Sequence, residues 1–260
     1  MTSERECFVY IVLPGETRFV TAGRFWVSKN RDGVDIGRFA YRRQYLDSAN
    51  AVELDPVELQ FRAETFETPL MEGFFGAIRD AIPDYWGRLV IERNAGIALL
   101  DNFTYLLKGP DDRAGALGFG TTLEPPAPRY MFNRTLDLER LQAAADAIAN
   151  DEPGPSGSAE TQVHELLLLS TSMGGARPKA VVEDGDSLWM AKFSRHDDRY
   201  NQPRVEHAML RLARACSLNA ASSRLTSVAA RDVLLVRRFD RDAAEDGYRR
   251  HRMVLSLIHI

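Results

Sequence analysis

A few residues in the second half of the chain have the types and order needed to handle a nucleotide's phosphates. Gly174 and Gly175 lie in a loop, Ser170 to Lys179. Without a Cβ at these positions, backbone N–H groups can come close to an anion. Lys192 stands in an apolar strand end, Met190-Ala191-Lys192-Phe193. An ammonium group there is costly to bury unless something anionic meets it. Glu206 lies near the start of a helix predicted over Arg204 to Cys216, and its carboxylate is the candidate partner for the lysine. Phosphoryl transfer needs a flexible cover over the phosphates and a cation on them, and this set offers both in order. A Walker A loop is excluded: Gly174 and Lys179 lack a second glycine before the lysine, and Ala180 replaces the required hydroxyl. Each residue also has an ordinary reading. A Gly-Gly pair is usually only a turn, a strand lysine snorkels to solvent, and a glutamate near a helix start meets a favourable dipole. Only their joint order favours chemistry.

The elements that must position them are legible. Ala180 to Glu183 reads as a strand, Asp184-Gly185-Asp186 as a tight turn and Ser187 to Phe193 as the returning strand. The helix from Arg204 to Cys216 places Val205, Met209, Leu212 and Cys216 on one face. Ser223 to Val228 and Val233 to Val236 read as two more strands. Ala159 to Leu169 reads as a short helix ahead of the loop. This order is what the small lobe of a protein kinase requires.

The first half is organised differently. Phe8 to Leu13, Phe19 to Val27 and a segment from Gly33 to Tyr41 predict a small antiparallel sheet. From Leu70, Phe74, Phe75 and Ile78 fall at helical spacing. Pro83 then interrupts, and Asp84 is a good N-cap for a second helix that carries Trp86, whose ordinary role is core. Gly118-Phe119-Gly120 is better read as a strand with close backbone packing than as a phosphate loop. Leu136 to Ala149 predicts a helix with Leu138, Leu141, Ala145 and Ile148 on one face. Asp151 to Ser158, Asp-Glu-Pro-Gly-Pro-Ser-Gly-Ser, is the clearest linker. The reading is therefore residues 1–150 as one subdomain, 159–253 as the lobe and 254–260 as a tail.

Composition sets outer limits. The chain has 260 residues, 45% hydrophobic and 27% charged, which fits a globular protein of two domains and not a disordered one. With 33 basic against 37 acidic residues, a net charge of −4, no global basic field exists to hold nucleic acid. Cys7 and Cys216 have no metal-ligand spacing and suit a reducing compartment. Met1 to Cys7 shows no signal-peptide pattern, and the apolar runs are short of a membrane span. The expected location is the cytoplasm, with no membrane.

The motifs together resemble HipA-type serine/threonine protein kinases, the toxins of bacterial toxin–antitoxin pairs. Ser172-Met173-Gly174-Gly175-Ala176-Arg177-Pro178-Lys179 is similar to that family's phosphate loop. Met190 to Phe193, Val205-Glu206 and Leu235-Val236-Arg237-Arg238-Phe239-Asp240-Arg241 follow in the family's order. Upstream, Pro83 to Arg88 and Gly115 to Gly118 resemble landmarks of its N-terminal subdomain, and Tyr248 to Met253 the run that opens its large lobe. The likeness reaches Met253; Val254 to Ile260 lose the pattern and resemble a non-native or frameshifted tail.

The resemblance implies an α+β architecture, a β-rich N-terminal subdomain with helices on a kinase-like small lobe, the large helical lobe being absent. It implies ATP as ligand and Mg2+ held by that absent lobe. Gly174, Gly175, Ala176, Arg177, Pro178 and Lys179 would contact the phosphates. Lys192 would pair with the α/β phosphates, with Glu206 orienting it. Arg237, Arg238 and Phe239 would border the adenine, although many members carry glutamate where Arg237 stands. Ser172 matches a serine that relatives autophosphorylate. A phosphate of about −1.5 to −2 charges there would repel ATP and inactivate the enzyme; an ordinary polar loop residue is the other reading. No residue matches the family's catalytic base or metal ligands, so the fragment itself is expected to be inactive. The implied partners are a HipB-like DNA-binding antitoxin, operator DNA through that antitoxin, and a protein substrate. A non-catalytic interaction module, and more weakly a small-molecule kinase on the same lobe, are the competing readings. With the large lobe missing, apolar surface is expected near Val233 to Phe239.

Overall fold

The structure, a computed structural model, describes residues 4–127, 132–134, 137–150 and 175–253. The linker at 151–158, the helix expected at 159–169, Ser172, Gly174 and the tail at 254–260 lie outside the described residues. Two compact units form, each discontinuous in sequence. One takes Met1–Ile82, Asp101–Tyr130 and Ala244–Ile260; the other takes Pro83–Leu100 and Met131–Ala243. The segment holding Trp86 and the helix before residue 150 therefore fold with the second unit.

The first unit is built on β1 (Arg5–Val12), β2 (Phe19–Lys29), β3 (Asp35–Tyr41), β4 (Thr65–Thr68) and β5 (Leu117–Gly120). They form an antiparallel sheet in the order β4-β3-β2-β1-β5. Alternation buries Val9, Ile11, Phe25, Val27 and Phe39 on one face, at 2% exposure or less. Over that face pack α1 (Arg43–Leu46), α2 (Gly76–Asp80) and α4 (Asn102–Lys108) through Tyr45, Ile78, Phe103 and Leu106. α4 has a clear start signal: Asp101 accepts the N–H groups of Phe103 and Thr104.

The stretch from Leu70 departs from the helix that its apolar spacing predicts. Leu70–Gly73 is a single 3-10 turn with Met71 and Glu72 at positive φ, and Phe74 is extended. The cause is long-range. A Cβ on Gly37 would lie 1.6 Å from the Gly73 carbonyl oxygen, so the turn is pressed against β3 at a point that admits glycine only. Helix resumes over just five residues in α2.

The second unit centres on β6 (Asn133–Arg134), β7 (Lys179–Asp184), β8 (Ser187–Phe193), β9 (Ser223–Val228) and β10 (Arg231–Arg237). Their order is β6-β7-β8-β10-β9, antiparallel apart from the β6–β7 pair. One face carries Ala180, Val182, Ala191, Phe193, Val233 and Leu235. Against it lie α3 (Tyr85–Ala95) with Trp86 and Val90, and α5 (Leu138–Ala149) with Leu138, Leu141, Ala145 and Ile148, the face expected of that helix. α6 (Gln202–Ala215) follows β8. Two short strands, β11 (Arg241–Ala244) and β12 (Gly247–Arg250), end the described chain. The expected apolar exposure at Val233 to Phe239 is corrected by this topology. β10 is an inner strand, so Val233, Leu234 and Leu235 are buried, Val236 is partly buried, and of the apolar side chains only Phe239, at 70%, is open.

Candidate functional site

Lys192 is placed by the β8 ladder. It pairs in register with Lys179 on β7 and Leu234 on β10, so all three side chains share the sheet face opposite the α5 core. Lys192 Nζ donates to Glu206 Oε1 at 2.5 Å. The pair is partly open, with side chains 30% and 42% exposed. Glu206 stands on α6, whose start is fixed by Asn201: its Oδ1 accepts the Arg204 N–H at 3.0 Å, and Pro203 occupies the first turn. The two residues that sequence order singled out are thus joined, on different elements, by a charge-assisted bond.

Lys179 has a different environment. It is 2% exposed. Its Nζ donates to Asp84 Oδ2 at 3.1 Å and to the Gly175 carbonyl at 2.6 Å. Burial pulls its pKa below the usual lysine value, and the Asp84 charge opposes that pull. Asp84 uses its other oxygen to cap α3, accepting the Gly87 N–H at 3.0 Å. The Trp86 indole donates to the Lys179 carbonyl at 3.2 Å. The Pro83-Asp84-Tyr85-Trp86 segment is therefore a clamp on the strand that leaves the glycine loop, besides starting a helix. Nothing in its periodicity signals this; the one clue is an N-cap carboxylate with a second oxygen to spare.

The other residues of the predicted site are distributed as follows. Gly175 has a φ of +115°, a conformation that favours glycine. Ala176 is exposed and Pro178 is buried, its carbonyl accepting the Phe193 N–H at 3.0 Å. Arg177 is tied to both carboxylate oxygens of Asp198, which also accepts the Arg195 N–H. In the run from Arg237, the backbone N–H groups of Arg237 and Arg238 bond to the Ser222 and Leu188 carbonyls. The Arg238 guanidinium, 4% exposed, grips Asp240 through two bonds of 2.9 and 2.8 Å, and Arg241 joins at 2.8 Å. Arg238 therefore spends its charge inside the fold, while Arg237 and Phe239 are exposed.

Three features bear on a nucleotide. A partly exposed lysine held by a carboxylate stands on a sheet face, which suits an anion. The two loop cations, Arg177 and Lys179, are each already neutralised by a carboxylate. Among the described residues, no group of three or more His, Cys, Asp or Glu side chains is arranged to hold a metal. No helix among them is long and apolar enough to cross a membrane.

Comparison with known proteins supplies the family. The family model described as "HipA N-terminal domain" matches residues 20–120, and that described as "HipA-like C-terminal domain" matches residues 171–257. A solved structure of the Shewanella oneidensis MR-1 toxin–antitoxin system HipA, HipB and its operator DNA complex is similar to this chain, with a TM-score of 0.58 at 17% identity. The match covers 94% of this chain and 54% of the other, so this chain spans about half the length of its structural relative. No curated protein matches. Matched in order to both domains of one family over more than half its length, and sharing that family's fold, the chain belongs to the HipA family.

Proposed function

We propose that this chain is the N-terminal part of a HipA-type serine/threonine kinase toxin, and that the Lys192–Glu206 pair is the phosphate-holding element of its ATP site. The observation that carries this is the pair itself: two residues chosen by element order, one on β8 and one on α6, bonded at 2.5 Å. ATP supplies the transferable phosphoryl group. Lys192 would neutralise its α/β phosphates, Glu206 would hold the lysine in place, and the turn at Gly175 would let backbone N–H groups approach. Arg237 and Phe239, both exposed, would border the base. Mg2+ ligands and the catalytic base would come from the large lobe of a full-length kinase. Phosphorylation at Ser172 would inactivate the enzyme by charge repulsion. The HipA–HipB–operator relative supports a HipB-like antitoxin as partner; operator DNA would be met through that antitoxin, and the site of action would be the cytoplasm.

A non-catalytic interaction module draws on one observation: α6 turns Val205, Met209 and Leu212 outward, at 46%, 59% and 55% exposure. Titration with Mg-ATP separates the readings. Saturable binding that weakens by about tenfold or more in Lys192→Met supports the kinase reading, since a hydrogen bond to a charged group is worth about 1.5–3 kcal/mol. No saturable binding at millimolar nucleotide overturns it.

A further inference from the structure

We infer that Asp232 is a positioning residue for the Lys192–Glu206 pair, a role that rests on the nucleotide-site reading above. The mounting of α6 is unusual. Among its residues only Pro203 is buried, and its apolar stripe of Val205, Met209 and Leu212 faces away from the sheet. Side-chain hydrogen bonds tie it to β9, to β10 and to the residue before β9. His207 Nδ1 meets Ser223 Oγ at 2.9 Å and Arg214 donates to Ser222 Oγ at 2.8 Å, both near the surface.

The firmest tether is at the N-terminal end. Asp232, on β10 and 7% exposed, receives Asn201 Nδ2 at 2.6 Å and Arg204 Nε at 2.5 Å on one oxygen, and Ser227 Oγ at 2.9 Å on the other. Asn201 is the cap of α6, and Arg204 lies in its first turn. One carboxylate therefore fixes both the cap and the first turn of the helix, two residues before Glu206. Burial works to raise the pKa of Asp232, and the bonds from Ser227, Asn201 and Arg204, with the Arg204 charge, outweigh it and keep the group an anion. A helix seated by apolar packing would hold its place without such a clasp. This one has almost no core of its own, so the clasp sets where Glu206 stands, and Glu206 sets where Lys192 points.

The test uses Asp232→Asn and Arg204→Gln in the whole chain. Arg204 is 66% exposed at its side chain, so its replacement removes the clasp from the helix side with little risk to the fold. Two readouts are needed: amide hydrogen exchange along α6 and across β8 and β10, and the affinity for Mg-ATP, each variant being made alone and with Glu206→Gln. The expected result is faster exchange in α6 with unchanged protection in β8 and β10. Affinity should fall about three- to tenfold, the scale of coupling within one bonded network. That loss should vanish when Glu206 is already Gln. Loss of affinity that persists undiminished in the Glu206→Gln background overturns the inference, as does a Glu206→Gln effect with none from either clasp variant. If Glu206→Gln and Lys192→Met both leave affinity intact, the site reading falls and the inference with it, even where α6 exchange has risen.

Discussion

Replacing Asp84 with Ala removes two things at once. The first is the cap of α3, the bond from the Gly87 N–H, worth about 1 kcal/mol. The second is the anion that balances Lys179. The lysine side chain is 3% exposed and that of Asp84 20%, so this is a largely buried pair with one edge in water. Deleting one partner of a fully buried pair costs about 3–5 kcal/mol, and the open edge of Asp84 argues for the lower end. The Gly175 carbonyl remains as the only other bonded partner of Nζ that we describe. The combined loss should be about 3–4 kcal/mol in the second unit. Asp84→Asn should keep the cap and show the charge part alone. The pH dependence has a definite sign. The folded-state pKa of Lys179 already lies below the ordinary lysine value of 10.5, so the unfolded chain binds that proton more tightly and stability rises with pH across the interval. Without Asp84 the folded pKa drops further and the interval widens downward. The deficit of the Ala variant should therefore shrink between pH 7 and pH 10. Urea unfolding read by tryptophan fluorescence in a Trp26→Phe background reports on the second unit through Trp86 and Trp189. A loss no larger than about 1 kcal/mol, independent of pH, would show that Asp84 is a cap and nothing more.

Other tests reach the rest of the molecule. Gly37→Ala would drive a methyl group into the Gly73 carbonyl, and since both sides of that contact are backbone, the first unit should lose several kcal/mol or fail to fold at 25 °C, seen as lost near-UV dichroism. Of the two thiols, Cys216 is exposed, while burial pushes the Cys7 thiol up to about 12 against the opposing Arg113 charge. A thiol-specific disulfide reagent at pH 8 should modify one cysteine in the folded protein and both in denaturant, and Cys216→Ser should abolish the fast reaction.

Where the local pattern and the tertiary environment agree, the sequence was readable. Strands β1, β2, β3, β5 and β7 to β10, the core face of α5, Trp86 as core and Asp84 as an N-cap follow from period and end signals, whereas the short β4 and β6 carry no such signal. The Lys192–Glu206 bond was reachable because element order places a strand lysine and a carboxylate near a helix start on neighbouring elements. The Leu70 segment misled because Leu70, Phe74 and Ile78 imitate a helical stripe, while the Gly37–Gly73 approach that forbids a helix comes from another strand. The clamp on Lys179 joins residues 95 apart, and no periodicity carries such a link. The ion pair of the Arg238 side chain with Asp240, buried inside the fold, is likewise invisible to periodicity. The outward apolar stripe of α6 inverts the usual rule: Val205, Met209 and Leu212 share a face as expected, and that face is the exposed one.

The most direct test of the nucleotide site uses the scarcity of lysine. The chain has four, Lys29, Lys108, Lys179 and Lys192. An ATP acyl-phosphate probe transfers its acyl group to the amine nearest the bound phosphates and releases the nucleotide, and mass spectrometry of the peptides then locates the tag. Tagging of Lys192, suppressed by excess ATP and altered in Glu206→Gln, is the result predicted here. Tagging of Lys179 instead, or labelling of Lys29 and Lys108 that ATP does not suppress, would contradict it.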